Sequence, residues 1–339
     1  MEYPNVTIIG ESGSAFSLEQ VIVHEVGHNW FYGILGSNER KNAWMDEGLN
    51  SFNENRYFYT KYPNGTFLNL TGGIADKFGL NEFSGRYLSD LSYIIPASYN
   101  VDQPIQFSSE NYSSLNYGGI VYSKTAIMFD YLKEYLGETV FDSAMKFYYK
   151  KWEFKHPEPK DVQLAFESTS GQALTWFFDD MIKSNQKIDY KISSVKSKNG
   201  ITQVVVKNNS GLTAPISVTA YSKTDTLSTK WSLSIKDIDT LKFTESNIKY
   251  FLINGNKKIP ELNNFNNFSR KSGVFKKVEP IKFQFLGGLD NAGKSLIYYS
   301  PILGWNNYDN MMLGMAFYNH LAIKKPFEYT LAPMYSFGR

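Results

Sequence analysis

His24-Glu25-Val26-Gly27-His28, followed after eighteen residues by Glu47 in Trp44-Met45-Asp46-Glu47-Gly48-Leu49, decides how this chain is read. Two imidazoles four residues apart fall on one face of an α-helix, a turn apart, so both rings can reach a single ion. The flanking residues support a helix. Ser17 is a suitable N-cap, Gln20 three residues on completes a capping box, and no proline interrupts. Val21, Val23, Val26 and Trp30 supply apolar faces, which argues against a solvated helix surface. Glu47 stands in a second helical stretch, Ala43 to about Lys61. Two neutral imidazoles and one carboxylate leave the fourth tetrahedral position open for water, the arrangement of a catalytic zinc site. Glu25, next to the first ligand, points at that water and can act as the general base.

Around this core the string HEVGHNWFYG, the eighteen-residue gap and WMDEGLNSF resemble the aminopeptidase N-like family of gluzincin zinc metallopeptidases. Met1-Glu2-Tyr3-Pro4 resembles the end of that family's exopeptidase motif, in a bacterial MEYP-type form with Tyr3 where asparagine is usual. Val121-Tyr122-Ser123-Lys124 resembles the family's tyrosine motif, with Thr125 in place of the usual glycine. The resemblance implies one Zn²⁺ ion held by His24, His28 and Glu47, with Glu25 as general base. It implies that Tyr122 donates a hydrogen bond to the tetrahedral oxyanion, a term that is often large. Glu2 would anchor the free α-amino group, making the substrates peptides with a free N-terminus, cut at their first bond. The implied catalytic domain is thermolysin-like and mostly helical. Family members carry an N-terminal β domain and further strands ahead of Met1, so this domain is expected to be truncated at its N-terminus and the chain to be a fragment.

Composition bounds the rest. A length of 339 residues allows two or three domains. A net charge of +2 points to no nucleic-acid partner, and the lack of cysteine excludes disulfide and thiol chemistry. No signal peptide is visible, and no run of eighteen apolar residues marks a transmembrane helix.

Along the chain the expected fold class is α+β and multidomain. Residues 1–187 read as the zinc peptidase domain. Phe141 to Trp152, Asp161 to Phe166 and Ala173 to Ile182 carry helical spacing, with a break at Pro157 to Pro159. Residues 188–262 read as a small β-sandwich, with turn signals at Asn199-Gly200 and Asn209-Ser210-Gly211. The asparagine-rich 263–274 reads as a polar linker. In 275–339 large apolar residues alternate with small or polar ones, as at Met311, Leu313, Met315 and Phe317, and Ile281, Phe283 and Phe285 start a similar pattern. This period fits the opening strands of a β-barrel in an outer membrane, and equally a soluble sheet with one buried face. The barrel reading carries an expected outer-membrane association and an extracytoplasmic location, in the periplasm or at the cell surface. It also carries the competing function, a zinc-site binding or surface protein of an outer-membrane assembly without catalytic activity.

Overall fold

A helix that is apolar on all sides has to be buried, and Thr125–Leu136 carries eight successive buried residues, Thr125 to Leu132. The computed structural model shows it at the centre of the helical half. The backbone is described for all residues except 1, 4, 5, 64–84, 234, 288–292, 322, 338 and 339, and residues 2 and 85–89 are described in backbone only.

The order is a two-stranded hairpin of β1 (Glu2–Tyr3) and β2 (Val6–Thr7), then α1 (Ala15–Gly27), which carries the motif. A π-helical turn, Trp44–Gly48, runs into α2 (Leu49–Lys61), and α3 covers Gly85–Ser98. A second π-helical run, Tyr117–Lys124, leads into α4 (Thr125–Leu136), followed by α5 (Glu138–Trp152) and α6 (Pro159–Ser170). A third π-helical turn, Trp176–Ile182, closes the helical half. Gly137 at φ 80 separates α4 from α5, and Gly171 at φ 67 ends α6, both in the region open to glycine.

Two expectations for α1 are corrected. Its N-cap is Ser14, whose side chain accepts from the Ser17 amide, and Gln20 turns from the cap to donate to Glu54 at 2.8 Å. The helix has no buried residue, and Ile22 and Val26 are 39% and 41% exposed. It packs on one side only, so the apolar neighbours do not enclose it.

The core is aromatic. Phe129 meets Trp44 at 5.9 Å, Phe166 at 6.2 Å and Phe177 at 5.2 Å between ring centroids. One side chain from α4 thus ties together α6 and two of the π-helical turns. The same core continues into the β half. Tyr131 lies between Trp176 and Trp231, its hydroxyl donates to the Pro215 carbonyl, and Lys258 pairs with Asp130 at 2.7 Å.

The β half opens with a sandwich. One sheet is β3 (Tyr190–Lys198), β4 (Ile201–Asn208) and β7 (Ile238–Phe243), in that order. The other runs β6 (Thr226–Ser232), β5 (Ile216–Tyr221), β8 (Tyr250–Ile253), β9 (Phe268–Arg270). Asn199 and Gly200, at φ 50 and 76, form the β3–β4 turn that an Asn-Gly pair favours. β9 lies within 263–274, the span read as a linker. It pairs with β8, and Asn267 is fully buried, so this stretch is part of the sandwich rather than a solvated hinge.

The last sheet holds β10 (Ile281–Phe285), β11 (Ser295–Asn306), β12 (Asn310–Tyr318), β13 (Thr330–Leu331) and β14 (Met334–Ser336). Alternating strands form here as the sequence pattern predicts. Of the two readings of that pattern, the barrel is not supported: no closed barrel forms among the described residues. β10 pairs with β11 in parallel, and the path ends at β13 without returning to β10. Closure needs the edge strands to pair, whereas the alternation that suggested a barrel is common to open sheets. No described helix is long and apolar enough to cross a membrane.

Candidate metal centre

His24 and His28 come from the last turn and the C-cap of α1, and Glu47 from the π-helical turn ahead of α2. Two close approaches bring these segments together. A Cβ on Gly27 would lie 1.9 Å from Asn50 Oδ1, and Asn50 uses that space to donate to the His24 carbonyl at 2.7 Å. A Cβ on Gly48 would lie 2.6 Å from the Val121 carbonyl and 2.5 Å from Thr125 Cγ2. The glycine after Glu47 therefore lets the two π-helical segments touch.

The result is a triangle. His24 Nε2 and His28 Nε2 are 3.2 Å apart, and Glu47 Oε2 is 3.1 Å from the first and 3.2 Å from the second. Among the described residues these three form the group of ligand-type side chains that could hold a metal ion. Tetrahedral zinc with bonds of about 2.0–2.1 Å has ligand–ligand edges of about 3.3–3.4 Å, close to those observed.

The orientation of each donor is fixed from behind. Asp46 Oδ1 lies 2.7 Å from His28 Nδ1 with both side chains 2% exposed, and Glu54 Oε2 lies 2.9 Å from His24 Nδ1. A carboxylate can only accept, so each ring carries its hydrogen on Nδ1 and turns the Nε2 lone pair inward. Tyr122 donates to Glu47 Oε1 at 2.5 Å, leaving Oε2 to face the imidazoles, and its ring stacks on His24 at 5.8 Å. Three lone-pair atoms converging at this distance call for a cation or for protons. Burial pulls both imidazoles toward the neutral form, but Glu47 and Glu54 around His24, and Asp46 and Glu47 around His28, outweigh it and raise them to about 9 and about 10. Burial pushes Glu47 up, but the bonds from His24, His28 and Tyr122 win and hold it at about 2. The donor set fits a divalent cation.

The structure brings His24, His28, Glu47 and Tyr122 together as the sequence suggested. Glu25 lies half-buried beside His24 on α1. Glu2 is placed in β1, and its side chain lies outside the described residues. Sequence reasoning passed over Asp46 and Glu54. Glu54 sits seven residues after Glu47, on the helix that follows the π-helical turn, a spacing that an uninterrupted α-helix would put on one face, so part of the signal was there in the sequence.

Paired histidines from one helix, a carboxylate from the π-helical turn ahead of the next and a carboxylate behind each imidazole form a candidate single-ion site around the HExxH sequence. The chain belongs to peptidase family M1: the Peptidase family M1 domain matches residues 9–181 of the 339. It is similar to aminopeptidase N of Lactococcus lactis subsp. lactis, 23% identical over 179 residues, which cover 52% of this chain and 20% of that one. Puromycin-sensitive aminopeptidase of Caenorhabditis elegans is 26% identical over 152 residues, 45% of this chain and 15% of that one. The chain thus spans a fifth or less of the length of these two relatives. Its fold is similar to Legionella pneumophila aminopeptidase A, solved in complex with aspartic acid, with a TM-score of 0.51 at 14% identity over 73% of this chain and 27% of that one.

Proposed function

We propose that this chain carries the catalytic centre of a zinc aminopeptidase, which hydrolyses the first peptide bond of substrates with a free N-terminus. The observation that carries the reading is the three-donor triangle with a hydrogen-bonded carboxylate behind each imidazole. A structural zinc site would use four protein ligands and no adjacent base. Zinc held by His24, His28 and Glu47 would supply a Lewis acid that polarises the scissile carbonyl and makes a neighbouring water more acidic. Glu25 takes the proton of the attacking water and passes it to the leaving amine. Tyr122 moves its hydroxyl from Glu47 Oε1 to the carbonyl oxygen as negative charge develops there, as a preorganised donor. Glu2 binds the substrate's α-amino group. Glu25→Gln is expected to abolish turnover while zinc stays bound, and peptidase activity retained in that variant would sink the assignment. Cleavage of N-acetylated peptides as fast as free ones would sink the exopeptidase part. If the parent cuts neither, the non-catalytic zinc-binding alternative takes its place.

For location we propose an extracytoplasmic, membrane-facing setting. One face of the last sheet presents Leu303, Trp305, Met311 and Tyr335, exposed at 74%, 68%, 62% and 70%, with Leu303 opposite Leu313 and Trp305 opposite Met311. Such a face suits an apolar surface. A blue shift of Trp305 emission on adding phospholipid vesicles supports this, and an unmoved spectrum refutes it.

A further inference from the structure

We propose that Lys124 is a positioning residue for Tyr122, its buried ion pair pinning the π-helical register that sets the tyrosine hydroxyl on Glu47. The importance of Tyr122 for catalysis rests on the aminopeptidase reading, but its placement does not. Lys124 ends the π-helical run two residues after Tyr122 and is 1% exposed. Its Nζ lies 3.2 Å from Asp102 Oδ2, donates to the Gln103 carbonyl at 3.2 Å and sits 5.1 Å above the Tyr93 ring. Asp102, 4% exposed, also binds Lys187 at 2.6 Å. Burial drives the Lys124 ammonium down to about 8 against the pull of Asp102.

Burying such a pair is a poor source of stability, since an apolar residue of similar volume often does as well. It is a good way to fix one arrangement among several. The arrangement at stake here is an uncommon one. A π-helical run closes each hydrogen bond over one residue more than the α-helix it would relax to, and a one-residue slip swings a side chain by about 100° around the axis. That swing would carry Tyr122 off Glu47. The run is anchored at both ends. Tyr117 packs edge-on against Tyr112 and Tyr122 at 5.9 and 6.1 Å, while Gln103 Oε1 accepts from Ser113 N and Asn116 Nδ2. At the far end both the amide and the hydroxyl of Thr125 reach back to the Ile120 carbonyl, the five-residue span of a π-turn. Lys124 is the charged side chain that this run itself contributes, and Asp102 and Gln103 tie it to the same 101–103 segment that holds the start.

The test places 3-fluorotyrosine at position 122 and compares its fluorine resonance in the parent, Lys124→Met and Lys187→Met. Lys187→Met removes the other cation from the same carboxylate, so a purely structural triad predicts like effects. The expected result is a shifted and broadened resonance in Lys124→Met alone. In peptide hydrolysis Lys124→Met is expected to lower kcat about tenfold at unchanged KM, less than deleting the donor itself, and to cost nothing further in a Tyr122→Phe background. An unmoved resonance in folded Lys124→Met, equal movement in both lysine variants, or additive losses with Tyr122→Phe would overturn the proposal. If Lys124→Met does not fold, Lys124→Gln, which keeps a donor for the Gln103 carbonyl without the charge, takes its place under the same outcomes. A parent without peptidase activity would overturn the aminopeptidase reading and leave the fluorine comparison to decide the positioning role.

Discussion

Replacing Asp46 probes the metal centre where it is most enclosed. The Asp46 Oδ1–His28 Nδ1 bond is 2.7 Å long between side chains that are each 2% exposed, so water cannot substitute for a lost partner. Asp46→Asn keeps the shape and can still accept from Nδ1, but without the charge. Charge-assisted hydrogen bonds are about twice as strong as neutral ones, and losing an outer partner of a metal-bound histidine costs about 10–100-fold in affinity. The zinc Kd is therefore expected to rise about tenfold in Asp46→Asn, or about 1.4 kcal/mol, and closer to 100-fold in Asp46→Ala. Glu54→Gln should cost less, because His24 is more exposed, at 16%, than His28, at 2%. The assay is competition against a fluorescent zinc chelator, with circular dichroism to confirm folding. The pH dependence has a defined sign. Below about 9 and about 10 the two imidazoles carry protons that zinc must displace. Affinity thus falls as pH falls, about tenfold per pH unit for each proton displaced. Equal zinc Kd values in the parent, Asp46→Asn and Asp46→Ala, or an affinity that does not change from neutral pH up to about 9, would refute the reasoning.

Other perturbations test the packing. Gly48→Ala forces a Cβ to within 2.6 Å of the Val121 carbonyl. It should destabilise the fold by about 1–3 kcal/mol in urea unfolding. Thr125→Gly is expected not to rescue it, because the nearer obstacle that remains is backbone. Phe129→Ala removes the ring shared by Trp44, Phe166 and Phe177. A cost of about 3–5 kcal/mol is expected, and less than 1 would contradict its central place. Glu261 is buried, and burial raises its carboxyl to about 8 against the bonds from the Tyr190 amide and Asn267. The folded chain then keeps a proton that the unfolded chain releases near 4.5. Its contribution to stability is fullest below pH 4.5 and is lost as pH rises to about 8. Glu261→Gln, which cannot titrate, should flatten that part of the urea-midpoint profile.

What could be read before folding was local. Helical periodicity in Phe141 to Trp152 and alternation in Met311 to Phe317 became a helix and a strand because each pattern concerns neighbours along the chain. Strand partners are not written locally. β10 pairs with β11 in parallel and β9 joins β8, and neither pairing follows from the residues of those strands. The same distinction explains why a barrel and an open sheet looked alike in sequence.

The sequence by itself determined the donor set of the candidate metal site: His24 and His28 share a helix face because of a four-residue spacing, and Glu47 follows in the turn that leads into the next helix. Only the tertiary structure decided how that chemistry is held. Asp46 and Glu54 each found a different imidazole, Gly48 let the two π-helical segments touch, and Tyr122 reached Glu47. Spacing along one helix is fixed by its own geometry. Contacts between helices depend on which residues pack against which, and that choice is made by the whole core.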